Sequence, residues 1–310
     1  MPLPRRRGPA RDPAPRPPAP FIVGVGRSGT TLLRLMLDAH PRLAIPPETQ
    51  FMRKVMRRAA KGENSVAQMH DAIAGNRRWE DFGLDADALR ARLEALPQPL
   101  SAADTMRAFF GLYAEKVGKA RWGDKSTSYL TRMPKIEAAL PEACFIHIIR
   151  DARDVALSQM AAYFGAQTAA EAGEKWARRL RAGRHGGAKV SRYLEVRYEA
   201  LVGDPEPVLR EICEFAQLEW DPAVLDYHRQ APARMQELNH DFQRRQGKGT
   251  VSGERRMELH ALTARPPQAG RAGRWRTEME PADVAAIEAV AGDLLSELGY
   301  PLAAPASAPS

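Results

Sequence analysis

From Phe21 to Pro41 the chain reads FIVGVGRSGTTLLRLMLDAHP, a short apolar run, a glycine-rich turn and an apolar helical stretch. Such a turn aims several backbone N–H groups at one point, and the positive end of the following helix favours a phosphate or sulfate there. The cradle would comprise Gly26, Arg27, Ser28, Gly29, Thr30 and Thr31, with the planar Arg27 guanidinium adding a fork of donors for the same oxyanion. The spacing from Gly24 to Gly29 fits the phosphate loop G-x-x-x-x-G-K-[ST], but Thr30 stands where the lysine belongs. The usual clamp on the β- and γ-phosphates is therefore missing, and Arg27 has to carry the charge. Any single strand-to-helix turn can contain Gly, Ser and Thr; strand, glycines, paired threonines and helix together point to an anion.

A second unit, CFIHIIRDARDVALSQM from Cys144 to Met160, is again an apolar run followed by an amphipathic helix. Arg150 would leave the strand at its carboxyl edge, where ligands sit in open parallel sheets, and Ser158 lies about two helical turns on. Alone, Arg150 beside Asp151 reads as half a surface ion pair and Ser158 as an ordinary helix serine. Between the two units lies RWGDKSTSY, Arg121 to Tyr129, with a short strand ending at Lys125; alone, Lys125 reads as a solvated loop lysine. Glu48, in IPPETQF, sits among apolar residues and prolines that would raise its pKa toward working pH, as a general base requires. On the sequence alone the better reading is an N-terminal cap for a helix beginning near Gln50. His40 is the alternative base, or simply part of the DAHP that closes the first helix before Pro41. Near the end, Gly270, Arg271, Gly273 and Arg274 lie in a Gly- and Arg-rich stretch around GRWR, just before the final helix.

The stretch GVGRSGTTLLRLMLDAHPRLAIPPETQ, Gly24 to Gln50, resembles the sulfotransferases that use 3′-phosphoadenosine 5′-phosphosulfate, and is most similar to the tyrosylprotein sulfotransferases and their bacterial relatives. The resemblance implies that the loop holds the donor's 5′-phosphosulfate and that Arg150 and Ser158 grip its 3′-phosphate. It further implies that Lys125 contacts the transferred sulfonate and the bridging oxygen, and that Glu48 is the catalytic glutamate. VRYEALVGDPEPVLREICEFAQLEWDP resembles the strand and helix after the second phosphate site, so Tyr198 approaches the nucleotide or, on its own chemistry, is a core tyrosine. GRWR looks like the terminal phosphate lid, although the RKG triplet of cytosolic sulfotransferases is absent. That resemblance implies that Gly270 and Gly273 let backbone approach a ligand and that Arg271 or Arg274 reaches the 3′-phosphate.

The expected architecture is α/β, a P-loop-like three-layer fold with a parallel sheet flanked by helices. Strands are expected at Phe21–Val25, Ala120–Trp122, Phe145–Ile149 and Tyr193–Arg197, and helices at Phe51–Ala60, Ala86–Leu96, Ala102–Val117, Glu171–Ala182, Pro205–Leu218 and Pro281–Leu298. Residues Gln236 to Gln268 read as a long mobile connection over the site's mouth. With 310 residues, 44% of them hydrophobic, the chain suffices for one large domain over 21–300. Residues 1–20 carry five arginines against one aspartate, half of the formal +8, and read as a disordered Pro/Arg-rich tail with no apolar signal region; 301–310 read as a second disordered tail.

No apolar run approaches the ~20 residues of a membrane span, and the only cysteines are Cys144 and Cys213. A reducing cytoplasm, no metal site and no nucleic-acid partner are expected, with a small-molecule or peptide hydroxyl as acceptor. Oligomeric state is not readable. In the expected chemistry a sulfuryl group passes in line to the acceptor while charge grows on the bridging oxygen, met by loop amides, Arg27 and Lys125. Two rivals remain open. A phosphate-loop kinase is disfavoured by the missing lysine; a basic nucleic-acid binder is suggested by a pI near 9.7 and by Arg53, Lys54, Arg57, Arg58 and Lys61 on one helix.

Overall fold

The apolar run before the glycine-rich turn becomes strand β1 (Ala19–Gly24), every residue of which is buried. The computed structural model describes residues 16–162, 166–243 and 249–303. Along β1 alternate side chains serve two cores, as the period of a strand requires. Phe21 and Val23 enter one core with Phe145, Phe110 and Trp176. Ile22 enters the other with Ile146, Ile148, Leu33 and Leu37. A strand covered on both faces and apolar on both suits the interior of a parallel sheet.

That sheet contains β4 (Asp124–Lys125), β1, β5 (Ala143–Ile149) and β6 (Tyr193–Arg197) in this order, all parallel. A separate parallel pair joins β2 (Leu43–Ala44) to β3 (Arg121–Trp122). Helices α1 (Thr30–Asp38), α2 (Met52–Ala60), α3 (Val66–Ala74), α4 (Ala86–Glu94) and α5 (Ala102–Lys116) precede β3. Between β4 and β6 come α6 (Met133–Ala139), α7 (Ala152–Met160) and α8 (Ala169–Gly187); after β6 come α9 (Tyr198–Gly203), α10 (Pro205–Phe215) and α11 (Ala231–Met235). A hairpin, β7 (Phe242–Gln243) with β8 (Thr250–Val251), leads to α12 (Gly253–Glu258), α13 (Trp275–Glu278) and α14 (Pro281–Glu297). The expected parallel α/β sheet flanked by helices is the one observed.

Several expectations need correction. The strand expected at Ala120–Trp122 pairs with β2; the member of the main sheet is β4, beyond Gly123. Only glycine fits at that switch: a Cβ on Gly123 would lie 2.6 Å from the Pro20 carbonyl oxygen. The first strand begins at Ala19, inside the stretch assigned to a tail, and Arg121 reaches from β3 to donate to the Pro18, Ala216 and Gln217 carbonyls. At the other end Pro301 accepts from Arg153 (2.9 Å) and the Ala303 N–H donates to Glu288 (2.9 Å). The remainder of both assigned tails, residues 1–15 and 304–310, lies outside the described residues. Within Gln236–Gln268 the described residues form α12, the hairpin strands and short 3₁₀ turns, so this is folded structure rather than a featureless connection. The sequence contains few apolar residues there, and buried Arg256 holds the segment through the His240 carbonyl and Asp81, contacts that periodicity does not register.

Phe21, fully buried, meets Phe110, Trp122 and Phe145 with ring centroids 6.4, 6.3 and 5.7 Å away. Phe21→Ala is expected to destabilise the chain by about 3–5 kcal/mol in chemical denaturation, because it opens a cavity in the central strand. A loss below about 1 kcal/mol would mean that these rings do not form the core described here.

Candidate active site

The turn between β1 and α1 is held by backbone geometry that few residues adopt. Arg27 has φ 77° and Gly29 φ 94°, both left-handed. A Cβ on Gly29 would also come within 2.4 Å of the Tyr198 ring, so glycine is required on two grounds. Gly29 is the N-cap of α1, leaving the helix's first N–H groups facing the turn. Ser28 N–H closes the turn on the Val25 carbonyl (3.1 Å).

Parallel pairing of β1 with β5, Gly24 opposite Ile148, delivers Arg150 beside this turn. The loop is then tied to α7 and its approach at three points. Arg27 Nε donates to Ser158 Oγ (3.0 Å), Gln159 Nε2 to the Gly26 carbonyl (3.2 Å) and Arg150 Nη1 to the Arg27 carbonyl (3.2 Å). Arg150 lies over the Tyr198 ring, 4.2 Å from its centroid, and its Nη2 donates to the Arg271 carbonyl (2.7 Å). Its buried Nε has no hydrogen-bond partner, an orphan that an anion would satisfy. Asp154, which sequence reading passed over, pairs with Arg150 (3.5 Å) and accepts from the Gly273 and Trp275 N–H groups (2.7 and 3.0 Å). It thereby fixes the GRWR stretch against α7.

A cavity of about 510 Å³ opens on this loop. Of the residues singled out from sequence, Gly26, Arg27, Gly29, Thr30, Thr31, Glu48, Lys125, Arg150, Ser158, Tyr198 and Arg271 line it. Three do not. Ser28 is buried beneath the turn. Arg274 turns to Glu278 on its own helix (2.6 Å). His40 is buried, with Nε2 against the Glu219 carbonyl (2.8 Å), so it is no candidate base.

On the same cavity wall, Glu48 Oε1 accepts from Lys125 Nζ (3.2 Å) and Oε2 from Gln50 Nε2 (2.7 Å), with Arg78 3.8 Å away. The cap of α2 is Phe51, with no side-chain contribution, so Glu48 is not the helix cap that its position suggested. Nor is its pKa raised. Burial pushes it up, but Lys125 and Arg78 more than reverse this and bring the carboxyl to about 2. Sequence shows the apolar neighbours of Glu48, while the cations arrive from distant elements. Burial draws the Lys125 ammonium down, against the opposing pull of Glu48. His260, on the segment after α12, lines the same cavity and is brought to about 3 by burial and by Lys125 and Arg27, so its imidazole is neutral at physiological pH.

Other lining residues escaped sequence reading because only long-range contacts gather them. Arg34, on α1, reaches Glu237 (2.8 Å), which also accepts from Tyr113 and pairs with Arg234 (both 2.7 Å). Asp81 joins Arg78 (3.1 Å) to Arg256 of α12 (2.6 Å), and Phe242 lies beside Arg77, Arg78 and Arg256, 4.6, 4.7 and 5.2 Å from its ring. The basic face of α2 is partly consumed internally, since Lys54 and Arg58 both pair with Asp71 of α3 (3.1 and 2.7 Å). Among the described residues no helix is long and apolar enough to cross a membrane.

The depressed Glu48 carboxyl carries a stability signature. A folded-state pKa below the unfolded one contributes stability that is complete above the unfolded pKa, near 4.5, and is lost as pH falls toward 2. Glu48→Gln is expected to cost on the order of 2–4 kcal/mol at pH 7, leaving Lys125 buried beside an amide. That difference should shrink below about pH 4 in paired denaturation curves. A penalty independent of pH would remove the ion pair as its cause.

The model of the sulfotransferase family matches residues 18–222. Protein-tyrosine sulfotransferase 1 of Danio rerio is 27% identical over 217 residues, 68% of this chain and 56% of that protein. Its Homo sapiens counterpart is 26% identical over 291 residues, 91% of this chain and 70% of that protein. The chain spans about half the length of several curated relatives it matches. The sulfotransferase domain of the Synechococcus PCC 7002 olefin synthase superposes with TM-score 0.59 at 25% identity, covering 94% of this chain and 98% of that one. That of the curacin biosynthetic pathway gives 0.58 at 22% identity, covering 93% and 99%, and shows the same fold. With the family's model spanning both strand–turn–helix units that build the cavity, the chain belongs to the sulfotransferase family.

Proposed function

We propose that this chain transfers a sulfuryl group from 3′-phosphoadenosine 5′-phosphosulfate to an acceptor hydroxyl. The observation that carries the reading is one cavity in which the β1–α1 anion loop, Arg150 with Ser158, and the Glu48–Lys125 pair all meet. The donor fits this wall: the N-terminus of α1 suits its 5′-phosphosulfate, while the partnerless Nε of Arg150 and the Ser158 hydroxyl suit its 3′-phosphate. Tyr198, already stacked under Arg150, and Arg271 would border the nucleotide.

In sulfuryl transfer, negative charge grows on the oxygen that bridges phosphate and sulfur as the S–O bond breaks. Loop amides, Arg27 and Lys125 would stabilise it, oriented beforehand by contacts within the chain. Lys125 turning toward that charge would release the Glu48 carboxylate from its strongest partner. Glu48 would then regain basicity and accept the acceptor's proton. His260, neutral in the same cavity, is a second proton acceptor that the sequence did not suggest. Pro47, Leu238, Phe242 and Leu259 supply apolar lining on the acceptor side, compatible with a small-molecule or peptide hydroxyl. A kinase reading is supported less, since Thr30 occupies the place of the phosphate-loop lysine.

Calorimetry against 3′,5′-adenosine bisphosphate and adenosine 5′-phosphosulfate tests the Arg150 assignment. Tighter binding of the 3′-phosphorylated ligand by roughly tenfold or more is expected, undiminished by excess chelator. Equal affinities would remove the assignment, and a strict magnesium requirement would favour the kinase. Lys125→Ala is expected to leave the affinity for the bisphosphate within a modest factor while lowering single-turnover transfer strongly, as for a group acting in the transition state. Unchanged turnover would return Lys125 to a structural role.

A further inference from the structure

Directly behind the Glu48–Lys125 pair lies a second, fully buried contact between their chain neighbours. Thr49 Oγ1 donates to Asp124 Oδ1 (2.8 Å), and both residues are 0% exposed. We infer that this Thr49–Asp124 contact is a positioning device that sets the Glu48 carboxylate against Lys125; the inference rests on the sulfuryl-transfer reading for its catalytic meaning.

Every polar atom of Thr49 is engaged. Its N–H donates to Ser126 Oγ (3.2 Å), its carbonyl accepts from Asn76 Nδ2 (2.5 Å), and its hydroxyl accepts from Tyr129 OH (2.9 Å) while donating to Asp124. Tyr129 in turn accepts from the Met52 N–H (3.2 Å). The next residue, Gln50, has φ 54°, a left-handed conformation in which its side chain folds back onto Glu48. Such backbone persists only where its surroundings over-determine it, and here the Thr49 contacts do so. On the other side, β4 is two residues long, so alternation along the strand sends Asp124 inward and Lys125 to the cavity wall. Fixing one pair of neighbours therefore fixes the other.

The chemistry of the contact suits a scaffold rather than a second ion pair. Burial pushes the Asp124 carboxyl up to about 7 despite help from Thr49, Ser126 and Lys125, with Glu48 opposing ionisation. Tyr129, the other titratable group against it, is raised well above its ordinary range by burial and by Asp124. The Thr49 hydrogen bond survives either state of Asp124, because it uses Oδ1 while Oδ2 is the oxygen without a partner.

The test compares Thr49→Val, which keeps the volume and removes the hydroxyl, with Thr49→Ser, which restores it, by carboxyl ¹³C NMR of Glu48 between about pH 4 and 8. In the parent and Thr49→Ser, Glu48 should remain ionised throughout. In Thr49→Val its midpoint should rise into the window, and single-turnover transfer to p-nitrophenol should fall roughly tenfold or more at unchanged affinity for 3′,5′-adenosine bisphosphate. A parental Glu48 titration in folded Thr49→Val overturns the inference. Should Thr49→Val not fold, Asp124→Asn retains an acceptor for Thr49 and must leave Glu48 ionised throughout the window; a midpoint raised into it overturns the inference equally. Failure of the sulfuryl-transfer reading would be distinct, showing as no transfer by the parent with the NMR pattern intact.

Discussion

The in-register parallel pairing of β1 with β5 is the constraint on which the rest depends. It brings the carboxyl ends of two strands side by side, so the turn after Gly24 and the arginine after Ile149 emerge at the same edge. In a parallel sheet both strands feed helices whose N-termini open on that edge, which makes it a natural anion site. The turn cannot relax from this arrangement. Gly29 sits against the Tyr198 ring, Arg27 holds a left-handed backbone, and Ser158, Gln159 and Arg150 tie the loop to the neighbouring unit.

A wall of guanidinium groups around one cavity is electrostatically costly unless each is oriented by a counter-charge or carbonyl. The structure meets this with carboxylates placed behind the wall. Asp154 serves Arg150, Asp81 serves Arg78 and Arg256, and Glu237 serves Arg34 and Arg234. Each also links elements distant in sequence. Asp81 ties the segment after α3 to α12, and Asp154 ties α7 to the stretch before α13. The same contacts that orient donors toward the cavity therefore hold α12 and the stretch before α13 against it, and preorganised donors of this kind need little rearrangement when charge develops.

Glu48, Lys125 and His260 share one electrostatic environment, with Lys125 its hinge. Its ammonium lowers the Glu48 carboxyl and helps keep His260 neutral. Any negative charge that engages Lys125 weakens both effects together. Under the proposed reading, proton-accepting capacity in the cavity would be coupled to the charge of an anion engaging Lys125.

The sequence alone determined the glycine-rich turn between β1 and α1, Arg150 at a strand end, Lys125 at the end of a short strand, and most of the long helices. These are local properties: glycine where the backbone must turn sharply, apolar runs of strand length, and 3.6-residue periodicity. For the same reason sequence placed the first strand, though two residues late at Ala19, and foresaw the parallel α/β sheet. Tertiary structure alone decided the rest. It switched the chain between sheets at Gly123, brought Leu238, Phe242, Arg256, Leu259 and His260 to the cavity wall, turned Arg274 and His40 away, and set Asp81 and Asp154 behind the wall as partners of Arg78, Arg256 and Arg150. It also inverted the expected pKa shift of Glu48, since burial is visible from apolar neighbours but the overriding charges of Lys125 and Arg78 come from other elements. Charge acts through space, whereas propensity acts along the chain.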